Sequence, residues 1–353
     1  MAEAARSLVT AAQAAGVGVA LVSASPSDAR GADLRFADAI GTDTPHPINV
    51  ICVNANETAQ LMDAFGAGVT GGRYNIGFWF WELSRLPAAW QGAVDRVDEI
   101  WVASRFVAET MATATSKPVR TVRLAVDATP SRTYRRSEFG LSDDVFTFLF
   151  TFSFNSYEAR KNPLGVISAF RKAFAGTGQG VALVLKPTNA DKAGDRMNRL
   201  QAAIDGDQRI RLIDRMMSRD EAFGLESVVD SYVSLHRSEG FGLGLAESMF
   251  LGKPVIGTAY SGNLEFMDET NSLLVDYRLT AVGEREYPFP EGQVWADPDE
   301  DQAADLMRSL VSDPTFGREL GARARAHMLE HFSAVAVGAG VADRLSQILD
   351  GAR

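Results

Sequence analysis

The chain has 353 residues, more than one hydrophobic core usually organises, so two domains are expected. A net charge of −10 excludes a general nucleic-acid binder, because no basic excess is present to displace phosphate counterions. The single cysteine, Cys52, excludes an internal disulfide framework and fits a reducing cytosol.

No run approaches the ~18–20 apolar residues needed to span a bilayer, and Met1–Arg6 lacks a hydrophobic signal core. The expectation is a cytoplasmic protein, with loose peripheral attachment to the inner face of a membrane left open. Strong helix formers fill Ala2–Ala15, so the chain opens on a helix. Short apolar runs then predict strands at Val17–Val22, Ile48–Val53, Tyr74–Trp81, Glu99–Val102 and Val119–Val122. Helical stretches such as Glu57–Ala64 and Arg105–Ala114 lie between them. That alternation is the pattern of a parallel α/β sheet. The aromatic run Phe78–Trp81 reads as buried strand rather than a ligand platform.

Val126–Asp144 carries Pro130 and several polar residues with no sustained period, and reads as the link between domains. A second series of strands follows at Phe146–Phe152, Val181–Lys186, Arg209–Ile213, Val228–Leu235, Pro254–Thr258 and Ser272–Val275. The tail Pro314–Leu349 reads as helix with a break near Phe332-Ser333. The expected domains are therefore 1–130 and 131–331, with a C-terminal helix at about 332–353 packing back on the first. A doubly wound sheet normally places its first strand centrally, with a glycine-rich turn after it. Here a helix comes first, and the first domain is expected to lack that strand: either its true start lies upstream, the favoured reading, or the domain is rearranged.

The most informative stretch is Ser238–Phe250, in which Glu239 and Glu247 flank seven residues that start glycine-rich and end helix-forming. An apolar run precedes it and Lys253-Pro254-Val255-Ile256 follows, so the unit reads strand, tight loop, helix, strand. Such a unit builds an anion-binding crevice at the carboxyl ends of the strands. A carboxylate can accept both hydroxyls of a ribose, and Gly240-Phe241-Gly242 can bring bare backbone against a ligand. Arg160 and Lys161 stand before Asn162, a good helix cap, and Pro163, suited to the first helical position. Two cations in front of a helix start suit a doubly charged leaving group.

The Glu-x7-Glu element resembles the donor-binding motif of family-4 retaining glycosyltransferases, which have the GT-B fold. Tyr74–Leu83, Asp98–Phe106, Glu158–Pro163 and Ser261–Met267 look like the bacterial polysaccharide-biosynthesis branch of that family. The resemblance implies two Rossmann-like domains facing a central cleft, the first binding an acceptor and the second a nucleotide-sugar donor. Glu247 would hold the ribose hydroxyls. Glu239 would contact the donor sugar and steady positive charge at its anomeric carbon. Backbone at Gly240, Phe241, Gly242 and Leu243 would meet the sugar and diphosphate. Arg160 and Lys161 would neutralise the leaving group. Ser261 and Gly262 are expected to touch the donor, and Asn54, Asn56 and Glu82, at strand ends of the first domain, an acceptor.

The implied reaction moves a hexose from a donor such as a GDP- or UDP-hexose to a saccharide or lipid-linked acceptor, with retention of anomeric configuration. No separate cofactor and no metal are expected. Asp297-Pro298-Asp299 mimics the Asp-x-Asp metal motif of another fold, yet it precedes a helix rather than ending a strand, and capping explains it. His327 and His331 share a helix face without a third ligand. His236, beside the motif, either lines the site or satisfies backbone. The family's active-site histidine has no clear counterpart, since His46 stands between Pro45 and Pro47. Two alternatives stay open. One is an impaired, donor-binding module lacking the first strand and its glycine-rich loop. The other is a dinucleotide oxidoreductase suggested by Gly240-Phe241-Gly242-Leu243-Gly244, although Leu245 breaks that fingerprint.

Overall fold

In the computed structural model the described residues are 1–23, 35–176 and 180–351. They form two units, Met1–Asp127 with Glu330–Arg353, and Ala128–Leu329. The first opens on α1 (Ala2–Ala14) and continues through β1 (Ile48–Ile51), α2 (Ala55–Phe65), α3 (Ala67–Thr70) and β2 (Tyr74–Trp79). It then runs through α4 (Gln91–Val94), β3 (Glu99–Val102), α5 (Arg105–Ala112) and β4 (Val119–Thr121). The four strands pair in parallel in the order β1-β2-β3-β4. Among the described residues sheet order equals chain order, with no point of reversal and with β1 at the edge.

Val17–Val22 is not a strand. Val17 N–H closes the end of α1 on the Ala12 carbonyl, and among the described residues the stretch meets a single parallel bridge, Leu21 to Ile40. β-branched residues do not make a strand without a neighbour to pair with. β2 likewise stops at Trp79, because Phe80 N–H donates to Asn54 Oδ1 rather than to the ladder. Phe78 and Trp79 are fully buried, as an interior strand requires.

The second unit contains β5 (Phe146–Ser153), α6 (Glu158–Lys161), α7 (Pro163–Ala173), β6 (Val181–Thr188), α8 (Asp195–Ile204) and β7 (Ile210–Leu212). Next come α9 (Arg219–Val228), β8 (Ser231–Ser234), α10 (Leu243–Phe250), β9 (Val255–Thr258) and β10 (Leu273–Val275). The hairpin β11 (Tyr277–Ala281) and β12 (Val294–Pro298), α11 (Glu300–Ser312) and α12 (Pro314–His331) complete it. Six strands pair in parallel in the order β10-β9-β8-β5-β6-β7. The sequence Phe-Thr-Phe-Leu-Phe-Thr-Phe of β5 suits its central place. Phe148, Leu149 and Phe150 are buried, so the strand is covered on both faces.

Residues 128–144, read as a link, belong to this second unit. Arg136 reaches Asp230 at 2.9 Å, and Tyr134 packs on Phe139. The hairpin is absent from the expected strands, since β11 is exposed along its whole length and carries no burial pattern. The chain returns to the first unit in α13 (Ala334–Gly351), after a break at Phe332-Ser333. There Arg344 pairs with Glu99 of β3, a buried carboxylate that also accepts from Tyr74 Oη at 3.0 Å and Trp101 Nε1 at 2.8 Å. Residues 352–353 of the expected helix lie outside the described residues. No described helix is long and apolar enough to cross a membrane.

Candidate active site

The six-stranded sheet reverses its winding between β5 and β8, and crevices for ligands open at the carboxyl ends of strands at such a point. The loops leaving these two strands are tied together. Asn162 adopts the left-handed conformation, φ +53°, and accepts from Gly165 N–H as the cap of α7, with Pro163 opening the helix. Its amide nitrogen donates to the Leu235 carbonyl at 2.9 Å, beyond the end of β8. Arg237 N–H donates to the Arg160 carbonyl at 2.8 Å, a second tie between the loops.

This framework presents Arg160 and Lys161, in the last turn of the short helix α6, to Glu239 in the loop after β8. Arg160 Nη1 donates to Glu239 Oε2 at 3.0 Å and to the Ser238 carbonyl at 2.7 Å, and Lys161 Nζ pairs with Glu239 Oε1. Burial by itself would push the Glu239 carboxyl up, but the Lys161 and Arg160 charges outweigh it and hold the pKa at about 2. Glu239 is therefore a fixed anion at neutral pH. Two cations and one carboxylate leave the cluster with one net positive charge.

Ser261 and Gly262 clamp the Glu239 backbone. Ser261 Oγ accepts from Glu239 N–H at 2.8 Å, and Gly262 N–H donates to the Glu239 carbonyl at 2.9 Å. Ser261 holds φ +78°, a strained conformation for a side-chain-bearing residue. At Gly262 a Cβ would fall 2.3 Å from the Gly240 carbonyl oxygen, so glycine is required there by close approach. His236 is fully buried beneath the loop. Its Nε2 meets Asn263 Oδ1 at 2.9 Å, and the Asn263 amide nitrogen donates to the Thr258 carbonyl. That arrangement makes Nε2 the protonated ring nitrogen and lets Nδ1 accept from Ser234 Oγ. Desolvation lowers the His236 pKa, which keeps the ring neutral. Both ring nitrogens are engaged by neighbouring side chains, Asn263 and Ser234.

Gly242, at φ +98°, precedes α10, whose start has no side-chain cap. Gly242 offers no side chain to the first-turn N–H groups of the helix, from Leu243 onward. Phe241 is turned inward, its ring 5.0 Å from that of Phe266. Glu247 lies one turn into α10 and meets Arg219 Nη2 at 3.5 Å. Beneath it Glu226 of α9 is buried, with Oε2 lacking a hydrogen-bond partner. Burial, and then the Glu247 charge, raise its pKa well above the ordinary carboxylate value. Arg219 and Glu226 carry no local signal in the sequence, since each meets Glu247 only through the packing of α9 against α10.

The structure thus brings Arg160, Lys161, Glu239, Ser261 and Gly262 into one cluster. Asn54, Asn56 and Glu82 belong to the other unit, where Asn54 Oδ1 is taken by Phe80 N–H. Asp297 and Pro298 do end a strand, β12, contrary to the sequence reading. Asp299 caps α11, its carboxylate accepting from Asp301 and Gln302 N–H. Among the described residues no three His, Cys, Asp or Glu side chains gather as a metal site.

No family model matches the chain. A trehalose synthase from Rubrobacter xylanophilus is 28% identical over 204 residues, which make up 56% of this chain and 43% of that protein. The match therefore spans less than half the length of this curated relative. Among solved structures, a glycosyltransferase from Rickettsia africae superposes with a TM-score of 0.71 at 13% identity, covering 98% of this chain and 94% of that one. Anabaena HepE, solved in complex with UDP and glucose, superposes with a TM-score of 0.66 at 14% identity, covering 86% and 78%. At these identities the likeness shows the fold, which is the α/β GT-B fold of glycosyltransferases.

Proposed function

We propose that the chain transfers a hexose from a nucleotide sugar to a saccharide or lipid-linked hydroxyl, with retention at the anomeric carbon. The observation that carries this reading is Glu239 held ionised between Arg160 and Lys161 at the switch point of the second sheet. Glu247, one turn into α10, is the side chain suited to a ribose diol, and the uncapped start of α10 suits the diphosphate. The fold's occurrence among glycosyltransferases, one of them solved with UDP and glucose, supports the same assignment.

In the proposed reaction the bond from the anomeric carbon to the diphosphate oxygen breaks, and the electron pair leaves with the phosphate. The acceptor oxygen bonds to the carbon on the same face, and its proton passes to the departing phosphate. Glu239, with its pKa near 2, cannot serve as a proton donor at neutral pH. It can steady the positive charge that develops on the sugar. The single positive charge left on the Arg160–Lys161–Glu239 cluster meets the growing charge of the diphosphate, so no metal is invoked for that task. Catalysis of this kind rests on placement and electrostatics rather than on a protein nucleophile.

Titrating the purified chain with UDP, GDP, UDP-glucose and GDP-mannose, and following donor hydrolysis by NMR, tests the reading. Expected are binding of one nucleotide series and release of hexose with the α configuration retained, undiminished by EDTA. Absence of binding across the panel would overturn it. Binding with neither hydrolysis nor transfer would reduce the chain to a donor-binding module.

A further inference from the structure

The hairpin β11–β12 stands outside the six-stranded sheet, yet it is anchored to the active-site loops. Ala296 N–H donates to the Arg237 carbonyl at 2.9 Å, and Arg237 meets Asp297 at 3.5 Å and lies over the Trp295 ring. The segment between its strands carries Tyr287, buried, which packs edge-on against Tyr157 with ring centroids 4.8 Å apart. The Arg160 guanidinium lies 5.9 Å from the Tyr287 ring centre on its way to Glu239. A line of ring and ion-pair contacts therefore joins Tyr157, through Tyr287 and Arg160, to Glu239.

Tyr157 is unusual in two independent respects. It is 43% exposed, although its ring is held by a partner. Its backbone sits at φ +59° and ψ 106°, a conformation that costs a bulky residue free energy and that tends to occur where a side chain must be presented. Its carbonyl accepts from the N–H groups of Arg160 and Lys161, so ring and cations belong to one turn. The face of a tyrosine ring is electron-rich, and the axial C–H groups of a sugar ring carry the complementary positive edge.

We propose that Tyr157, backed by Tyr287, is a carbohydrate-binding wall against which one face of a substrate pyranose packs. The inference rests on the proposed glycosyl transfer and adds a residue that selects the sugar by its shape. The pyranose is either the donor's hexose or a sugar of the acceptor, and the two sources separate by experiment.

Four probes would be measured on wild type, Tyr157→Phe, Tyr157→Leu and Tyr157→Gly, the last keeping positive φ accessible. The probes are UDP, UDP-glucose and, with UDP bound, methyl α-glucopyranoside and methyl α-mannopyranoside. Where the wild type prefers GDP, the GDP pair replaces the UDP pair. Expected is unchanged affinity for the nucleoside diphosphate, with Tyr157→Phe behaving as wild type throughout. Tyr157→Leu and Tyr157→Gly should weaken by about tenfold either the nucleotide hexose, marking the donor ring, or the free glycoside, marking the acceptor. Four matching profiles would overturn the wall, as would a parallel loss of the nucleoside diphosphate, which would show only a disturbed turn. Failure of the wild type to bind any nucleotide would instead reject the glycosyl-transfer reading itself.

Discussion

Glu239 shows how a single residue acquires its chemistry from neighbours. Desolvation opposes its charge, and the two cations opposite it reverse the outcome. A carboxyl with a depressed folded pKa stabilises the protein above its unfolded value near 4.5, and that contribution is lost as pH falls towards 2. Glu239→Gln should therefore flatten the acid limb of stability between pH 4.5 and 2, measured by urea denaturation. Equal slopes for wild type and variant would contradict the pairing. Glu226 has the opposite sign. Its raised pKa means that the folded state binds a proton the unfolded chain has released, so stability falls as pH rises above the ordinary carboxylate range. Glu226→Gln should match wild type in acid and exceed it in stability at neutral pH. Glu247→Ala should weaken nucleotide-sugar binding by about 1.5–3 kcal/mol, the scale of hydrogen bonds to a charged group, as read by calorimetry. An unchanged affinity would remove the ribose contact.

At the scale of elements, the site depends on how three loops are locked to one another. The Asn162-Pro163 helix start was legible because capping is local, whereas the same Asn162 amide reaching Leu235 was not. The Glu-x7-Glu unit likewise announced its strand, loop and helix. Its partners remained hidden, because Arg160 and Glu239 are 79 residues apart and meet only when β5 and β8 become neighbours. The hairpin escaped for a different reason, since an exposed strand carries no alternation of apolar and polar residues. Gly262→Ala offers a test of the clamp. A Cβ there would meet backbone rather than a flexible side chain, so the Glu239 loop must shift. Expected are a destabilisation of about 1–3 kcal/mol and a loss of donor binding larger than that of Asn162→Ala. A folded, fully binding Gly262→Ala protein would show that the clamp is dispensable.

At the scale of the whole molecule, the returning helix α13 is part of the first unit rather than an appendage of the second. Arg344 supplies the charge that Glu99 needs in a fully buried setting. Arg344→Leu should cost about 3–5 kcal/mol, because the carboxylate would be left buried without its cation. Hydrogen exchange should localise the loss to β2, β3 and β4, sparing the six-stranded sheet. Loss of protection spread evenly over both units would contradict a role for this pair confined to the first. The α/β alternation, the strands other than Val17–Val22 and the hairpin, and the break at Phe332-Ser333 were all written in the residues themselves. They are consequences of local periodicity, capping and composition, which act over a few residues. Which strands became neighbours, which charges were forced together out of water, and which tyrosine was left facing outward were decided by tertiary packing alone. Those contacts join residues far apart in the chain, and their energies exist only once the sheet excludes solvent around them.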